Sequence, residues 1–580
     1  MLGFAYHVPT IPNTVRYPSP RRPAACFASF VIAALGTSCS SAGARVAATS
    51  SSAPVVDASA SSSLPHGPVD YLVLVPRAFE HDIAPLVQLR AQEGHGVLIR
   101  VAEDVYAKRS HVAHEEALLA EVRDVAHANT SLRFLLLAGD PRGEGAALAT
   151  FHKRLGPWVG DEAGTDLDYA TDQPYALFSD GAAGHPLAVG RLPARTPTEL
   201  DGMVSKIVAY ETDPPTAWSR RVLVFAGPAN FGESADRAVE TFATSMLDGE
   251  VPHDFDLGVL YAQVSSPYAF RFDRLGAEMA HEMGSGALLA VFAGHGSPEA
   301  FDSVSFKRHA YPIGTVSDFA AIDGARGFPI FIALTCSAGA FDAPRRSIAE
   351  TAMVNPHGPI ASFAASAFSG AYVNMLYSQQ LLDAFLSSRA PTVGEAIVMA
   401  KTKLGGTSSL SLTLVKAVMG GDGKGDMATS DEAIAEHLFI YNLFGDPATR
   451  PRYPERADVT LASSSIGPGA PFVATLTLPH GGFDDADVTI ETERTQLKKG
   501  IVPGEQITAL DAGPAFDTME KNHAIAIDKV VSHTPVTVDS GTVRVELVGP
   551  SEPGSYWVRV IASGGGHVAA GAAHLSVRDK

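Results

Sequence analysis

Clusters of basic residues are missing from this chain of 580 residues. Its 44 lysines and arginines are outnumbered by 63 acidic residues, for a net charge of −19, and its densest basic runs are pairs such as Arg345-Arg346. Binding to DNA or RNA depends on grouped cations that neutralise phosphates. We therefore predict that nucleic acid is not a partner of this protein.

Long apolar runs are also scarce. Outside the N-terminal 40 residues, no uncharged apolar run reaches the roughly 18 residues that a transmembrane helix requires. Strand-like apolar runs nevertheless recur along the chain, which excludes large-scale disorder. We expect a large, acidic, well-packed protein of three or four units at about 150 residues each.

Cysteine is rarer still, with three in the chain, and two of them, Cys26 and Cys39, lie near the N-terminus. Cys336 is therefore alone in the body of the protein, where it has no internal disulfide partner. A lone cysteine is most often a small core residue. No HExxH pair, phosphate-binding loop or GxSxG turn occurs either, so we predict no metal site and no required cofactor.

The N-terminal segment has the pattern of an export signal. Arg21-Arg22 precede a short apolar stretch, residues 25–36, that ends just before Cys39. Leu35 to Cys39 resembles a bacterial lipobox, with one residue more than the usual spacing. We expect residues 1–39 to be a signal peptide of the lipoprotein type and Cys39 to carry lipid, so that contact with a membrane occurs only through this anchor.

Ordinary secretion, with cleavage after Ala42-Gly43-Ala44, is the alternative to lipidation. In either case the protein is exported, as an anchored lipoprotein of the cell envelope or as a secreted protein. Residues 40–67 are rich in serine and alanine and are predicted to form a flexible linker.

Three segments follow the linker. In residues 68–215, apolar strands alternate with helical patterns, which is typical of a parallel sheet. Residues 216–455 continue with further buried strands and amphipathic helices. Residues 456–580 change to short alternating runs between Gly/Pro turns, which favours a β-sandwich. The strands expected in the two α/β segments are 71–75, 97–101, 132–140, 221–226, 286–293, 329–335 and 359–364.

Two of these strands end in reactive residues. One runs into Gly294-His295-Gly296-Ser297 and another into Thr335-Cys336-Ser337. Ligands bind beyond the carboxyl ends of the strands in open parallel sheets. If the strands are neighbours, an imidazole meets a thiol there, which is the pairing that cysteine proteolysis needs. The backbone N–H groups of Gly296 and Cys336 are candidates for an oxyanion hole.

Several further motifs occur in a fixed order around these two. They are Gly139-Asp140, Thr165-Asp166-Leu167-Asp168-Tyr169-Ala170, Ala188 to Ala194 (AVGRLPA), Lys206, Tyr210-Glu211, Gly294 to Ser297, Thr335 to Gly339 (TCSAG), Ser347 to Glu350 (SIAE) and Tyr441 to Pro447 (YNLFGDP). Together they resemble the gingipain-type cysteine peptidases over about residues 68–452.

The resemblance implies an α/β protein in three parts. A smaller N-terminal α/β subdomain (68–215) precedes a caspase-like parallel-sheet catalytic subdomain (216–455), and an immunoglobulin-like β-sandwich (456–580) follows. It also implies an endopeptidase that cleaves protein or peptide substrates through a thioester acyl-enzyme, with Cys336 as nucleophile and His295 as general base and acid. A structural calcium ion is compatible with the resemblance, without a ligand set.

One departure concerns the residue that orients the histidine. Gingipains place a carboxylate shortly after the strand that opens the catalytic block, and here Pro228 stands at about that position. Asn230 and Glu233 are the candidates to replace it, and a Cys-His dyad without a third member is the remaining option.

Other functions stay open at this level. The same residues fit a catalytically idle surface lipoprotein that serves as an interaction module, or a sortase-like processing transpeptidase. Substrate preference is open as well. Glu299, Asp302 and Asp342 flank the catalytic strands and are candidates for the floor of a pocket that binds a basic residue.

Overall fold

The structure is a computed structural model that describes residues 68–143, 145–159, 167–177, 186–228, 249–324, 326–407 and 430–579. The expected signal peptide, Cys39 and the linker therefore lie outside the described residues. So do residues 233–247, whose apolar spacing in the sequence predicts an amphipathic helix. Within the described ranges, no helix has the length and apolar character needed to cross a membrane.

A ten-stranded sheet forms the centre of the molecule. All neighbouring pairs in it are parallel except the fifth and sixth strands, which are antiparallel. In spatial order, with numbers following the chain, the strands are β2 (Val97–Val101), β1 (Tyr71–Val75), β3 (Phe134–Ala138), β6 (Ala188–Leu192), β14 (Tyr441–Phe444), β13 (Ala361–Ala365), β12 (Ile330–Leu334), β9 (Leu289–Ala293), β7 (Arg221–Ala226) and β8 (Asp256–Tyr261). The prediction of a mixed α/β protein with a parallel sheet is confirmed.

The two predicted α/β segments contribute to this one sheet. The strands of residues 68–215 form one end and those of residues 216–455 the other, and β14 joins them, with Phe444 opposite Arg191 of β6. A boundary at residue 215 that separates a smaller subdomain stays a prediction.

Helices cover both faces of the sheet at the end formed by the first three strands of the chain, β1, β2 and β3. In β1, Tyr71 and Val73 belong to one apolar core, and Leu72 and Leu74 belong to another, because side chains alternate between the faces of a strand. In the described part of the peptidase segment, the helices are α1 (Ala84–Gln92), α2 (Ala102–Lys108), α3 (His114–Ala128), α4 (Pro197–Thr212), α5 (Leu275–Gly284), α6 (Val316–Ala320), α7 (Ile348–Val354), α8 (Ala371–Leu382), α9 (Val393–Gly405) and α10 (Asp431–Ile440).

Two small hairpins lie outside the central sheet. They are β4 (Phe151–Arg154) with β5 (Asp168–Thr171), and β10 (Ser303–Phe306) with β11 (His309–Pro312). The second follows the His295 loop, and its turn residues Lys307 and Arg308 both have positive φ, at 50° and 67°.

The tail consists of two further sheets. One contains β15 (Glu455–Arg456), β17 (Ser465–Ile466), β19 (Asp485–Thr492), β20 (Val530–Thr537), β22 (Gly554–Gly564) and β23 (His567–Val577), and the other contains β16 (Asp458–Leu461), β18 (Pro471–Thr477) and β21 (Thr542–Val548). Leu476 and Leu547 of the second sheet share one apolar core with Val488 and Val560 of the first. Kinship of this arrangement with the immunoglobulin fold stays a prediction.

Two helices, α11 (Gly504–Ala509) and α12 (Ala512–Ile527), interrupt the tail between β19 and β20. A purely β tail was expected, so these helices are a difference from the sequence-based prediction. Phe516 and Met519 of α12 belong to the core of the peptidase segment. Phe516 meets Tyr311 of the β10–β11 hairpin edge-on, with ring centroids 5.4 Å apart. The tail therefore packs against the loop region that follows His295.

Candidate active site

His295 lies two residues beyond the end of β9, with an exposed side chain. The backbone of its loop is held on both sides. The N–H of Gly294 donates to the carbonyl of Leu334 at 3.4 Å, and the N–H of Asp302 donates to the carbonyl of His295 at 3.1 Å. The imidazole therefore projects from a hydrogen-bonded turn at the edge of the sheet.

Cys336 lies two residues beyond the end of β12 and is half-buried. The next residue, Ser337, has a φ of 56°, in the left-handed region that non-glycine residues seldom adopt. Such strain costs about 1–3 kcal/mol and is concentrated at functional sites. Two backbone hydrogen bonds hold this conformation. The N–H of Ser337 donates to the carbonyl of Ala367 at 2.9 Å, and the N–H of Gly339 donates to the carbonyl of Ala365 at 2.8 Å.

The loops that carry His295 and Cys336 abut each other. Strands β9 and β12 are parallel neighbours with Ala293 opposite Leu334, so the two reactive residues occupy matching positions beyond the sheet. A Cβ atom on Gly296 would lie 2.4 Å from Oγ1 of Thr335, a distance that real contacts do not show. Only glycine lets the histidine loop pass this close to the cysteine loop.

A chain of buried side chains supports the sulfur of Cys336. The N–H of Ser369 donates to Sγ at 3.3 Å, and the thiol faces the carbonyl of Ser369 at 3.6 Å. The Ser369 hydroxyl accepts from Nδ2 of Asn374 at 2.8 Å, and Oδ1 of Asn374 accepts from the hydroxyl of Tyr441 at 2.8 Å. The position of the Ser369 backbone beside the sulfur therefore depends on residues of α8 and β14.

His437 fixes the next residue of the same loop. Its Nε2 accepts from the N–H of Gly370 at 2.8 Å, and its Nδ1 lies 2.6 Å from the carbonyl of Ala433. Nδ1 therefore carries the proton of a neutral ring. Burial lowers the pKa of His437 to about 4, which keeps the ring neutral at physiological pH.

A charged cluster holds the far end of the cysteine loop. The Ser347 hydroxyl and the Glu350 carboxylate form a capping box at the start of α7, and the N–H of Ala349 donates to the carbonyl of Ala338 at 2.9 Å. Glu350 is buried and forms an ion pair with Arg142, which lies in the loop after β3. Burial raises the pKa of Glu350 to about 7 against the opposing charge of Arg142.

The candidate orienting residues Asn230 and Glu233 lie outside the described residues. The segment that leads to them passes beside the histidine loop, since the N–H of Gly227 donates to the carbonyl of Ala293 at 2.9 Å. A Cβ atom on Gly294 would lie 3.2 Å from the Cα of Gly227.

Among the candidate acids for substrate selection, Glu299 and Asp342 contact basic side chains. Glu299 forms an exposed ion pair with Arg345 at 2.8 Å, and Asp342 lies 3.5 Å from Nε2 of His152. Asp302 accepts from the N–H of Ser303 at 2.7 Å. A role for any of them in binding a basic residue stays a prediction.

Ser369, Asn374 and His437 were not predicted from the sequence. Ser369 and Asn374 lie in a stretch of small and apolar residues, 366–374, that follows an apolar strand and has the pattern of an ordinary loop and helix start. His437 had no comparable signal. Tyr441 had appeared only as part of the YNLFGDP motif.

Comparison with known proteins gives a family and several structures. The model of peptidase family C25 matches residues 64–452, more than half of the chain. The chain is similar to the Arg specific cysteine proteinase gingipain R (RgpB), with 16% identity and a TM-score of 0.48 over 89% of this chain and 99% of that one. It is also similar to the complex of Porphyromonas gingivalis RgpB pro- and mature domains, with 17% identity and a TM-score of 0.47 over 88% and 100% of the two chains. No curated protein matches.

Proposed function

Because the chain belongs to peptidase family C25 and is thus a cysteine-type peptidase, we propose that it is an exported endopeptidase with Cys336 as nucleophile and His295 as general base and acid. One observation carries the proposal. The two residues follow adjacent parallel strands at matching positions, on loops that touch at Gly296 and Thr335.

The reaction follows from these two groups. His295 takes the thiol proton of Cys336, and the thiolate attacks the carbonyl carbon of the scissile peptide bond. The resulting oxyanion accepts hydrogen bonds from the backbone N–H groups of Gly296 and Cys336. His295 then gives its proton to the leaving amine, and a thioester remains on Cys336. Water attacks the thioester with His295 again as base, which releases the acid product and restores the thiol.

The Ser369 N–H stabilises the charged form of the nucleophile in this scheme. A hydrogen bond to an ionised group contributes about 1.5–3 kcal/mol, roughly twice a neutral one. The left-handed Ser337 turns the backbone directly after Cys336.

Export is the second part of the proposal. The Arg21-Arg22 pair, the apolar stretch at residues 25–36 and Cys39 support a lipid-anchored protein of the cell envelope, with secretion as the alternative. Proteins and peptides outside the cytoplasm are then its substrates.

A peptide-library cleavage profile tests the peptidase proposal, with Cys336→Ala as the matched control. We expect cleavage within peptides by the wild type under reducing conditions and none by the variant. An absence of turnover in the wild type would favour the idle interaction module. Products joined to an added amine would favour the transpeptidase.

Alkylation tests the role of Cys336 without a substrate. We expect iodoacetamide to modify native Cys336 near pH 6–7, where an ordinary thiol with a pKa of about 8.5 is mostly protonated. Loss of this reactivity in His295→Ala would confirm the pairing. Modification only after denaturation would make Cys336 a core residue and refute the proposal.

A further inference from the structure

Two histidines and one glutamate converge at the edge of the tail, away from the residues discussed so far. Nε2 of His480 lies 2.8 Å from one carboxylate oxygen of Glu455, and Nδ1 of His567 lies 2.8 Å from the other. One ligand atom from each of the three lies within 4.8 Å of those from the other two. The two imidazole rings meet edge to face, with centroids 4.6 Å apart.

Three separate chain segments hold these side chains. Glu455 is in β15, which pairs with β23. His480 is in the connection between β18 and β19, where its ring stacks on Phe483 with centroids 5.1 Å apart. His567 is the first residue of β23 and follows a turn in which Gly565 and Gly566 have φ of 55° and 84°. Positive φ at both central residues is typical of a type I′ hairpin turn, which fixes His567 opposite Gly564.

The hydrogen bond of His480 determines which of its nitrogens is available. Nδ1 lies 2.6 Å from the carbonyl of Gly481, so Nδ1 carries a proton and donates it. Nε2 is then the atom directed at Glu455. A proton between nitrogen and carboxylate oxygen accounts for the contact, and a divalent cation can take the place of that proton.

We propose that Glu455, His480 and His567 form a binding site for a divalent transition metal, with Zn²⁺ as the favoured ion. Two imidazole nitrogens and one carboxylate oxygen make a donor set that zinc accepts in proteins, with the fourth position left to water. The hydrogen bond from Nδ1 of His480 to a carbonyl is the kind of outer contact that orients metal-bound histidines. Ca²⁺ and Mg²⁺ prefer all-oxygen ligands and should bind poorly here.

Partial exposure makes the site accessible. The side chains of Glu455, His480 and His567 are 34%, 41% and 47% exposed, so an ion can enter from solvent without rearrangement of the core. The site also lies at a junction. Glu455 is the last residue of the peptidase segment, and a Cβ atom on Gly566 would lie 3.5 Å from Cβ of Pro214. A bound ion would therefore tie two tail loops to the strand that links the tail to the peptidase segment.

Zinc titration of the mature chain by calorimetry tests the proposal. The Cys336→Ala background removes the reactive thiol as a competing ligand. We expect one equivalent of Zn²⁺ to bind, with proton release and little response to Mg²⁺ or Ca²⁺. His480→Ala, His567→Ala and Glu455→Gln should each weaken that binding about 100-fold and abolish the rise in melting temperature that zinc causes.

His533→Ala provides the matched control. His533 lies 2.7 Å from Asp487 in the same tail, a comparable exposed histidine–carboxylate contact without a second histidine. Its loss should leave zinc binding unchanged. Equal weakening by His533→Ala, or wild-type zinc affinity in both His480→Ala and His567→Ala, would overturn the proposal. All three altered side chains are partly exposed, so circular dichroism of the metal-free variants should match that of the parent chain.

Discussion

Replacement of Asn374 by leucine should reduce the reactivity of Cys336, although the Asn374 contacts described above are with Ser369 and Tyr441 and not with the sulfur. Asn374 is 8% exposed and bridges the hydroxyls of Ser369 and Tyr441. Leucine is of similar size but makes neither hydrogen bond. Ser369 would lose the contact that holds its loop, and its N–H would no longer be fixed 3.3 Å from Sγ.

The size of both effects follows from these contacts. A buried polar group without its partner costs about 1–3 kcal/mol. Two hydroxyls are affected and can find partial replacements, so the unfolding free energy should fall by about 2–4 kcal/mol. Weakening the charge-assisted bond to the sulfur by about half, or roughly 0.7–1.5 kcal/mol, corresponds to a 3- to 12-fold lower ratio of thiolate to thiol. Alkylation should slow by up to that factor.

The assay is the second-order rate of Cys336 alkylation at pH 6.5, together with kcat/KM on a cleaved peptide. Asn522→Leu is the matched control, because Asn522 is also buried and also makes two hydrogen bonds, both with the backbone of Val502 in the tail. Its stability should fall similarly while Cys336 keeps its rate. If Asn374→Leu remains folded and reacts at the wild-type rate, the side-chain network is purely structural.

Three further predictions follow from the same structure. His295→Ala should lower kcat by several orders of magnitude, as is typical when a nucleophile loses its base, while the thermal melt stays unchanged; an unfolded variant would make His295 structural. Cys39→Ser should move the protein from the membrane to the soluble fraction, and an unchanged distribution would contradict lipidation. Burial lowers the pKa of Lys206 to about 7 in the folded protein, whereas the unfolded chain keeps the ordinary lysine pKa of about 10.4. Between these two pH values the unfolded state binds more protons than the folded state. The unfolding free energy therefore rises with pH in this range. In Lys206→Met, the slope of unfolding free energy against pH between 8 and 10 should fall by about 1.4 kcal/mol per pH unit; an identical slope would show that the lysine is charged in the folded protein.

The strands were the most predictable part of the fold. Residues 71–75, 97–101 and 221–226 have the bounds that their apolar runs predict, because strands of a covered parallel sheet are nearly continuous apolar runs. Arg100 and Arg221 are the charged exceptions, and both are only partly buried. The helices of the tail were missed. Phe516, Met519 and His523 have helical spacing, but the alternating runs on either side of them favoured strands throughout.

The juxtaposition of His295 and Cys336 was predictable from the sequence, for a physical reason. Both residues come directly after buried strands, and glycines and a sharp change in polarity mark these positions. Ser369, Asn374 and Tyr441 reach Cys336 only through the pairing of β14 with β13 and the position of α8, and no local pattern encodes that proximity. For the same reason, the spacing of Glu455, His480 and His567 gave no sign of their convergence.

The position of β14 has a consequence for biosynthesis. Tyr441–Phe444 is the last strand of the central sheet to be translated, yet it lies between β6 and β13. Until it emerges, the chain holds four strands on one side and five on the other, each group ending in an open edge that invites aggregation. Tyr441 also completes the hydrogen-bonded support of Cys336, so a chain without it should hold the proposed nucleophile less firmly. A chain ending at Ile440 should accordingly be aggregation-prone and unreactive toward iodoacetamide near neutral pH. The central sheet and the support of Cys336 are thus completed only when nearly the whole peptidase segment is present.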